Sequence, residues 1–396
     1  MRRLSRTLKA RTLITAIGTV EYPVIEVDSA GLIADISSDP SVRSESILTP
    51  TFLDVHIHGA AGHDVMDCGP EGLSEVQRFL ALRGTGHYLP TTVTASVDDT
   101  LRALEALGAA IERPTPGDEA TPIGIHLEGP FLSHAKRGVH LPELLELPSI
   151  PLFERFQQAA RGHIRLVTLA PELPGALEMI AHVAAQGVTL SLGHSNATAR
   201  EATAGIQAGA SSATHLFNAM RAMDHREPGI AAAVLDDRNL YAELICDGIH
   251  VAPIMVRLWL RLKAERAILM TDGISATGMP DGPYKLAGVP ITVASGKASV
   301  TDAPGTLAGS VLTMDRAVAN LCEFTGCGLE TAVRAASTQP AAMLGIGDRI
   351  GSLRVGQAAN FNEYSANGRL VGTYLQGKRL GLLAGAPHGT LHGVDG

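Results

Sequence analysis

The chain carries no excess of positive charge: 32 Lys and Arg face 40 Asp and Glu, a formal net charge of −8 at pH 7. That balance argues against a protein held on nucleic acid through phosphate contacts. It leaves open a small anionic substrate, which answers to local charge in a pocket. No run of about 18 apolar residues occurs, so a membrane-spanning helix is not expected. The four cysteines, Cys68, Cys246, Cys322 and Cys327, are scattered. Cys322 and Cys327 are too far apart for a Cys-x-x-Cys motif, and no second pair completes a zinc site. Such usage fits a reduced, cytoplasmic setting. A supersecondary repeat and a low-complexity linker are also missing. The N-terminal MRRLSRTLKARTLITAIG is basic, yet its apolar stretch is short and lacks a clear small-residue cleavage site. A first β-strand with a basic leader is therefore expected in preference to a targeting segment.

What is present suits a large barrel with a smaller appendage. The 396 residues are 45% hydrophobic, ample for a sizeable core, and 42 Gly with 22 Pro suit many tight turns. Residues 1–49 read as short strands. From Pro50 onward extended apolar runs alternate with helical patterns, the signature of repeated βα units. Eight barrel strands can be counted: TFLDVHIH, GHYLPTTVT, PIGIHLEG, IRLVTLAPE, VTLSLGH, SSATHL, YAELICDG and RAILMTDG. Between them Leu101, Leu104, Leu107 and Ile111 recur at helical spacing. Thr198 and Glu201 form a capping box, and Gly187 stands where a C-cap glycine belongs. Residues 282–305 read as a strand-rich insertion, 311–345 as helical, and the tail returns to short strands. The expected fold is an α/β (β/α)8 barrel over 50–345, with a small β-sandwich-like domain split between 1–49 and 346–396.

Six residues carrying metal-binding or proton-moving groups follow short apolar runs: His56 and His58 in FLDVHIH, Glu128 in GIHLEGPF, His194 in LSLGHS, His215 in ATHLFNAM and Asp272 in AILMTDG. Barrel active sites form at the C-terminal strand ends, so these six would converge on one face. His56 and His58, two apart on a strand, project to the same side. Alone, such a pair could equally be core histidines with satisfied hydrogen bonds; the company of the other four favours metal ligation. Glu128 reads as a ligand or a helix cap, and His194 and His215 suit zinc or ferrous iron. His126 shares the side of Glu128 and is read as support or packing. Asp272 could be a ligand, a general base, or both. Hydrolysing an amide needs an activated water and a proton for the departing nitrogen, and one carboxylate can serve both steps in turn.

The blocks HLEGPFL, GH with its capped helix, THLFNAM, DGIH and TDGISATGMPDG, with GTLAGSVLTMDRAV behind them, resemble the N-acetylglucosamine-6-phosphate deacetylases of the amidohydrolase superfamily. The resemblance runs from about residue 48 to 345. It implies a homodimer and makes Glu128, His194 and His215 the main metal ligands, with Asp272 as catalytic acid/base. It also makes His140 the group that polarises the acetamide carbonyl. Asn218, the Ala219 backbone, Arg226 and His250 would contact the sugar phosphate, and Leu307, Ala308 and Gly309 would line the sugar. Some relatives of this kind keep both histidines of the His-x-His pair and hold two metals; this chain keeps both, which leaves room for a second metal bridged by Glu128.

Arg226 has the planar donor fork that suits phosphate, although an arginine outside such a match is more often simply solvated. The reaction implied is removal of the acetyl group from N-acetyl-D-glucosamine 6-phosphate. Rival readings are the galacto epimer, another N-acyl amine, or a catalytically silent binder of amino-sugar phosphates.

Overall fold

The structure, a computed structural model, describes residues 4–381. The first three residues of the basic leader, and residues 382–396 of the expected C-terminal portion, lie outside the described residues. The eight expected barrel strands are all present: β1 (Phe52–Ile57), β2 (Thr85–Thr92), β3 (Ile125–Glu128), β4 (Ile164–Leu169), β5 (Thr189–Leu192), β6 (Ser212–Ala213), β7 (Tyr241–Ile245) and β8 (Ala267–Met270). Each pairs in parallel with the next from β1 to β8. Their near-continuous apolar character follows from burial on both faces, as a parallel sheet wrapped in helices demands. The fold class expected from the sequence is therefore observed.

Closure between β8 and β1 runs through residues just past the strands. Ile57 and Gly273 form a parallel bridge, the His58 N–H donates to the Gly273 carbonyl at 2.8 Å, and the Asp272 N–H to the His56 carbonyl at 2.9 Å. Asp54, fully buried in β1, reinforces this seam. Its Oδ2 accepts the Thr271 hydroxyl at 2.6 Å, and its Oδ1 accepts the Thr271 and His56 N–H groups at 3.2 and 3.3 Å. Two residues of the site are thus tied together by the closure of the barrel.

Local sequence rules place the helices around this sheet. The helix Ala199–Ala208 begins with the expected capping box, Thr198 and Glu201 exchanging hydrogen bonds. Gly187, in the left-handed region at φ 77°, follows the helix Ala176–Ala185 and donates to the Ala184 carbonyl. Trp259 anchors the helix Pro253–Lys263: its ring is fully buried, and Nε1 donates to the Ala242 carbonyl of β7 at 3.1 Å. The region 311–345 resolves into helices Met314–Thr325, Leu329–Ala336 and Thr338–Met343.

Strands from both ends of the chain share one six-stranded sheet, in the order Lys378–Leu380, Leu370–Leu375, Phe361–Tyr364, Ile47–Pro50, Thr12–Thr15, Gly18–Glu21. A three-stranded sheet, Leu4–Lys9, Pro23–Asp28 and Ile33–Ser38, shares an apolar core with it; Leu13, Ile25, Ile33, Leu48 and Phe361 are all buried there. Asn362 lies within Phe361–Tyr364, where an apolar residue would be usual; it is buried and donates through Nδ2 to the Gly84 carbonyl at 2.9 Å. The insertion after β8 is a four-stranded antiparallel sheet spanning Gly282–Leu307. No helix among the described residues is long and apolar enough to cross a membrane.

Candidate active site

Each group of the sequence constellation emerges at the C-terminal end of its strand. Glu128 ends β3, His58 follows β1, and His194, His215 and Asp272 stand two residues past β5, β6 and β8. Three of these residues adopt positive φ: His194 at 46°, His215 at 31° and Asp272 at 52°. Phe217 and Ala219, in the same turn as His215, do so at 79° and 51°. Left-handed conformations of non-glycine residues cost on the order of 1–3 kcal/mol each and persist only where surrounding contacts enforce them. Here they turn the chain sharply at the barrel mouth.

The side chains form two buried clusters, His56–His58–Asp272 and Glu128–His194–His215. In the second, the Nε2 atoms of His194 and His215 are 3.0 Å apart and lie 3.2 and 3.1 Å from Glu128 Oε1. In the first, the Nε2 atoms of His56 and His58 are 3.2 Å apart, with Asp272 Oδ1 3.6 and 3.1 Å from them. Glu128 joins the two, its Oε2 lying 3.4 Å from His56 Nε2 and 3.3 Å from His58 Nε2. One carboxylate therefore presents an oxygen to each cluster.

The donor set fits a divalent cation. Tetrahedral bonds of about 2.0–2.2 Å put neighbouring ligand atoms roughly 3.3–3.6 Å apart, close to the separations seen in both clusters. The far ring nitrogens agree. His58 Nδ1 lies 3.0 Å from the Thr91 carbonyl and His194 Nδ1 lies 2.9 Å from the Lys136 carbonyl. A carbonyl can only accept, so in each ring Nδ1 carries the proton and the Nε2 lone pair faces the cluster. These histidines are pre-set as ligands.

Opposite charges within the cluster stabilise one another. Burial opposes ionisation of Asp272, but the adjacent His56 and the hydrogen-bonding His58 outweigh it and bring the carboxyl down to about 2. Glu128 is likewise pushed up by burial and held well below the usual range by His56, His194 and His215. Conversely, burial disfavours a charged His58, yet Asp272 and Glu128 raise it to about 9. His140 behaves differently: burial, then the charge of His194, depress it to about 3. Its Nδ1 lies 2.7 Å from the Thr94 hydroxyl and 3.3 Å from the Thr94 N–H; that N–H only donates, which favours a neutral ring with its proton on Nε2, 3.8 Å from Glu128 Oε2.

The remaining expected site residues divide. His250 comes to the mouth: Nδ1 is 2.5 Å from Asp247 Oδ2, and the ring also hydrogen-bonds the Gly309 carbonyl. Burial disfavours its charge, but Asp247 raises it overall. The segment Leu307–Gly309 leads into Ser310, whose N–H donates to the Asp272 carbonyl at 2.7 Å and whose hydroxyl donates to the Thr271 carbonyl at 2.6 Å. Asn218 and Ala219 sit in the strained turn after His215, and Asn218 Nδ2 donates to the His215 carbonyl at 3.3 Å. Arg226 is not drawn into the cluster; it is exposed on the segment between Met220 and Gly229.

Sequence reasoning passed over Asp54, Thr94 and Glu243. The last was the most visible, as the one charged residue before Asp247 in the apolar YAELICD run of β7. His126, left as support or packing, donates or accepts at Thr168 Oγ1 (2.7 Å) and packs edge-on against His56.

Residues 47–380 match the model of the amidohydrolase family. The chain belongs to that family. Within it, the chain is 37% identical over 378 residues to the N-acetylgalactosamine-6-phosphate deacetylase of Escherichia coli O157:H7, covering 95% of this chain and 99% of the relative. It is 36% identical to the N-acetylglucosamine-6-phosphate deacetylase of Bacillus subtilis (strain 168), with 86% of each covered. Among solved structures, a variant of the Mycobacterium smegmatis N-acetyl-D-glucosamine-6-phosphate deacetylase, in complex with N-acetyl-D-glucosamine 6-phosphate, superposes with a TM-score of 0.88 at 32% identity, covering 96% of this chain and 99% of that one. This amidohydrolase thus shares fold and sequence with amino-sugar-phosphate deacetylases along almost its whole length.

Proposed function

We propose that this chain hydrolyses the acetamide of N-acetyl-D-glucosamine 6-phosphate, giving D-glucosamine 6-phosphate and acetate. The observation that carries the reading is the convergence of Glu128, His194, His215 and Asp272 with a neutral, Nε2-protonated His140 at one barrel mouth. Chains similar to this one over most of their length are deacetylases of such sugars.

Glu128, His194 and His215 would hold one divalent cation, zinc or ferrous iron, and His56 and His58 with Asp272 offer room for a second. A bound cation supplies Lewis acidity, lowering the pKa of a water from about 15.7 toward about 7. Asp272, an ionised carboxylate, would take the proton of the water that attacks the acetamide carbonyl. The proton then passes from Asp272 to the sugar nitrogen as the C–N bond breaks. His140 Nε2–H is aimed at the charge that develops on the carbonyl oxygen. At the other end, His250, Asn218, the Ala219 N–H and Arg226 are the proposed phosphate contacts, and Leu307–Gly309 line the sugar. The reading extends to a homodimer working in the cytoplasm, and to a division into a barrel, 50–345, and a β domain from 1–49 and 346–396.

The test is acetate release by metal-loaded protein from N-acetylglucosamine 6-phosphate, its galacto epimer and the unphosphorylated sugar. Fast release from the gluco phosphate, with the unphosphorylated sugar much poorer, is expected. The galacto arm is needed because one relative covering nearly the whole chain is the galacto enzyme. Preference for the galacto phosphate would reassign the substrate; no release from any of the three would remove the deacetylase reading.

A further inference from the structure

Behind the His56–His58–Asp272 cluster lies a carboxylate with no assigned task. Glu243 is in the middle of β7, with no exposed surface, surrounded by the apolar residues of a barrel strand. Its Oε1 accepts from the Ser212 hydroxyl at a long 3.4 Å, and its Oε2 has no hydrogen-bond partner among the described residues. Facing it is a second buried atom in the same condition: His56 Nδ1, also unpartnered, 3.7 Å from Glu243 Oε2. Two unsatisfied buried polar atoms of complementary kind, 3.7 Å apart, call for a common explanation, because each alone would be costly.

We infer that Glu243 is the positioning residue for His56: it takes the Nδ1 proton of the ring in a hydrogen bond and so turns the Nε2 lone pair toward the cation shared with His58 and Asp272. The inference deepens the proposed function, resting on the reading that this cluster holds a cation. The two other oriented ligands achieve the same end with backbone carbonyls, Thr91 for His58 and Lys136 for His194. His56 has no such carbonyl on its Nδ1. Its ring is held edge-on by His126 on one side, at 4.5 Å between centroids, and Glu243 stands at its far nitrogen. A carboxylate there also makes the imidazole a stronger donor to a metal than a carbonyl would. Glu243 touches neither substrate nor reacting atoms, and it acts through His56, the residue it faces, rather than through His194 or His215.

The experiment uses cobalt(II) as probe. Chelated full-length protein is titrated with cobalt(II), following visible absorption and bound metal, with no sugar present. The wild-type chain should take up two ions in two steps. Glu243→Gln, which keeps the shape but loses the charge, should retain the first step and weaken the second by roughly 10–100-fold. Superimposable isotherms would overturn the inference, as would a wild-type chain that binds a single ion. Equal weakening of both steps would mark Glu243 as merely structural and also overturn it. Should the Gln variant fail to fold, ring-nitrogen NMR of the wild-type zinc form decides: Nδ1-protonated His56 supports the inference, and Nε2-protonated His56 overturns it. No step involves acetate release, so a chain with this two-step uptake but no deacetylase activity would lose the proposed function and keep the role of Glu243.

Discussion

His140 Nδ1 lies 2.7 Å from the Thr94 hydroxyl, which can donate or accept, and 3.3 Å from the Thr94 backbone N–H, and the second contact bears on where the ring's proton resides. A backbone N–H can only donate, so a neutral His140 is protonated at Nε2, the nitrogen facing Glu128. Burial keeps it neutral, its pKa down at about 3, so it remains a hydrogen-bond donor and does not become a competing cation. Replacing His140 with Ala should lower kcat by about 10²–10³, the usual loss for one oxyanion donor, with metal content unchanged. Steady-state kinetics beside metal analysis checks this; a fall in KM alone would remove the assignment.

Asp272→Asn removes the proton carrier while conserving shape. Turnover should drop by at least 10²–10⁴-fold, roughly the range for losing general acid–base catalysis. The variant should still fold and keep the ion held by Glu128, His194 and His215, since Asp272 belongs to the other cluster. Near-normal turnover in a purified, metal-loaded Asn variant would show that another group moves the proton.

The barrel and the two side-chain clusters were legible in the sequence for a common reason. Apolar runs such as AILM and the Leu127 end of β3 mark strands, and polar residues at or just past their ends, such as Glu128 and Asp272, have no place in a core. Supporting residues gave weaker signals. Glu243 and Asp54 lie inside apolar strands, and only the closed barrel reveals that one faces His56 and the other reaches Thr271 across the seam. The tautomer of His140 depends on Thr94, 46 residues earlier, a contact with no sequence periodicity. The strained φ angles at His194, His215 and Asp272 are likewise hard to read, because histidine and aspartate, though more tolerant of left-handed turns than most residues, adopt them at few of their positions. Arg226 is singled out by the family resemblance alone, and its side chain stands exposed.

Metal uptake should release protons. In the metal-free chain burial disfavours charge on His58, but Asp272 and Glu128 raise it to about 9. A raised histidine contributes stability that is fully present below its unfolded pKa and is lost as pH rises through about 9. Protons thus compete with a cation most strongly at low pH, and affinity at the His56–His58–Asp272 cluster should rise from pH 6 to 9. Calorimetric titration with zinc, in buffers of different ionisation enthalpy, measures the proton release directly. Heats independent of buffer would contradict it.

His250 is kept near the mouth by Asp247 and Gly309, with its charge favoured by Asp247 although burial opposes it. If it meets the phosphate, His250→Asn should raise KM for the phosphorylated sugar by roughly 10-fold or more, the loss of a charge-assisted hydrogen bond of about 1.5–3 kcal/mol. The slow reaction of the unphosphorylated sugar should be unaffected. A comparable loss with both substrates would assign His250 to support of Asp272.

Gly309 adopts φ 56°, and a Cβ there would lie 2.5 Å from Ile274 Cγ2 and 2.8 Å from the Asp272 carbonyl oxygen. Neither neighbour can yield cheaply: Ile274 is fully buried, and the Asp272 carbonyl already accepts the Ser310 N–H. Beyond the strain of a left-handed alanine, Gly309→Ala should cost about 1–3 kcal/mol through overpacking and push the Asp272 backbone away from the cluster. Gly288 supplies the control. It too is left-handed, at φ 81° in the hairpin turn between Leu286 and Val289, but a Cβ there meets nothing within 4 Å. Gly288→Ala should lose about 1–2 kcal/mol from backbone strain alone and retain full turnover. Thermal unfolding and kcat on both variants separate the two effects. Loss of activity only in Gly309→Ala ties the sugar-lining segment to Asp272, whereas equal activity in both would leave that contact without catalytic weight.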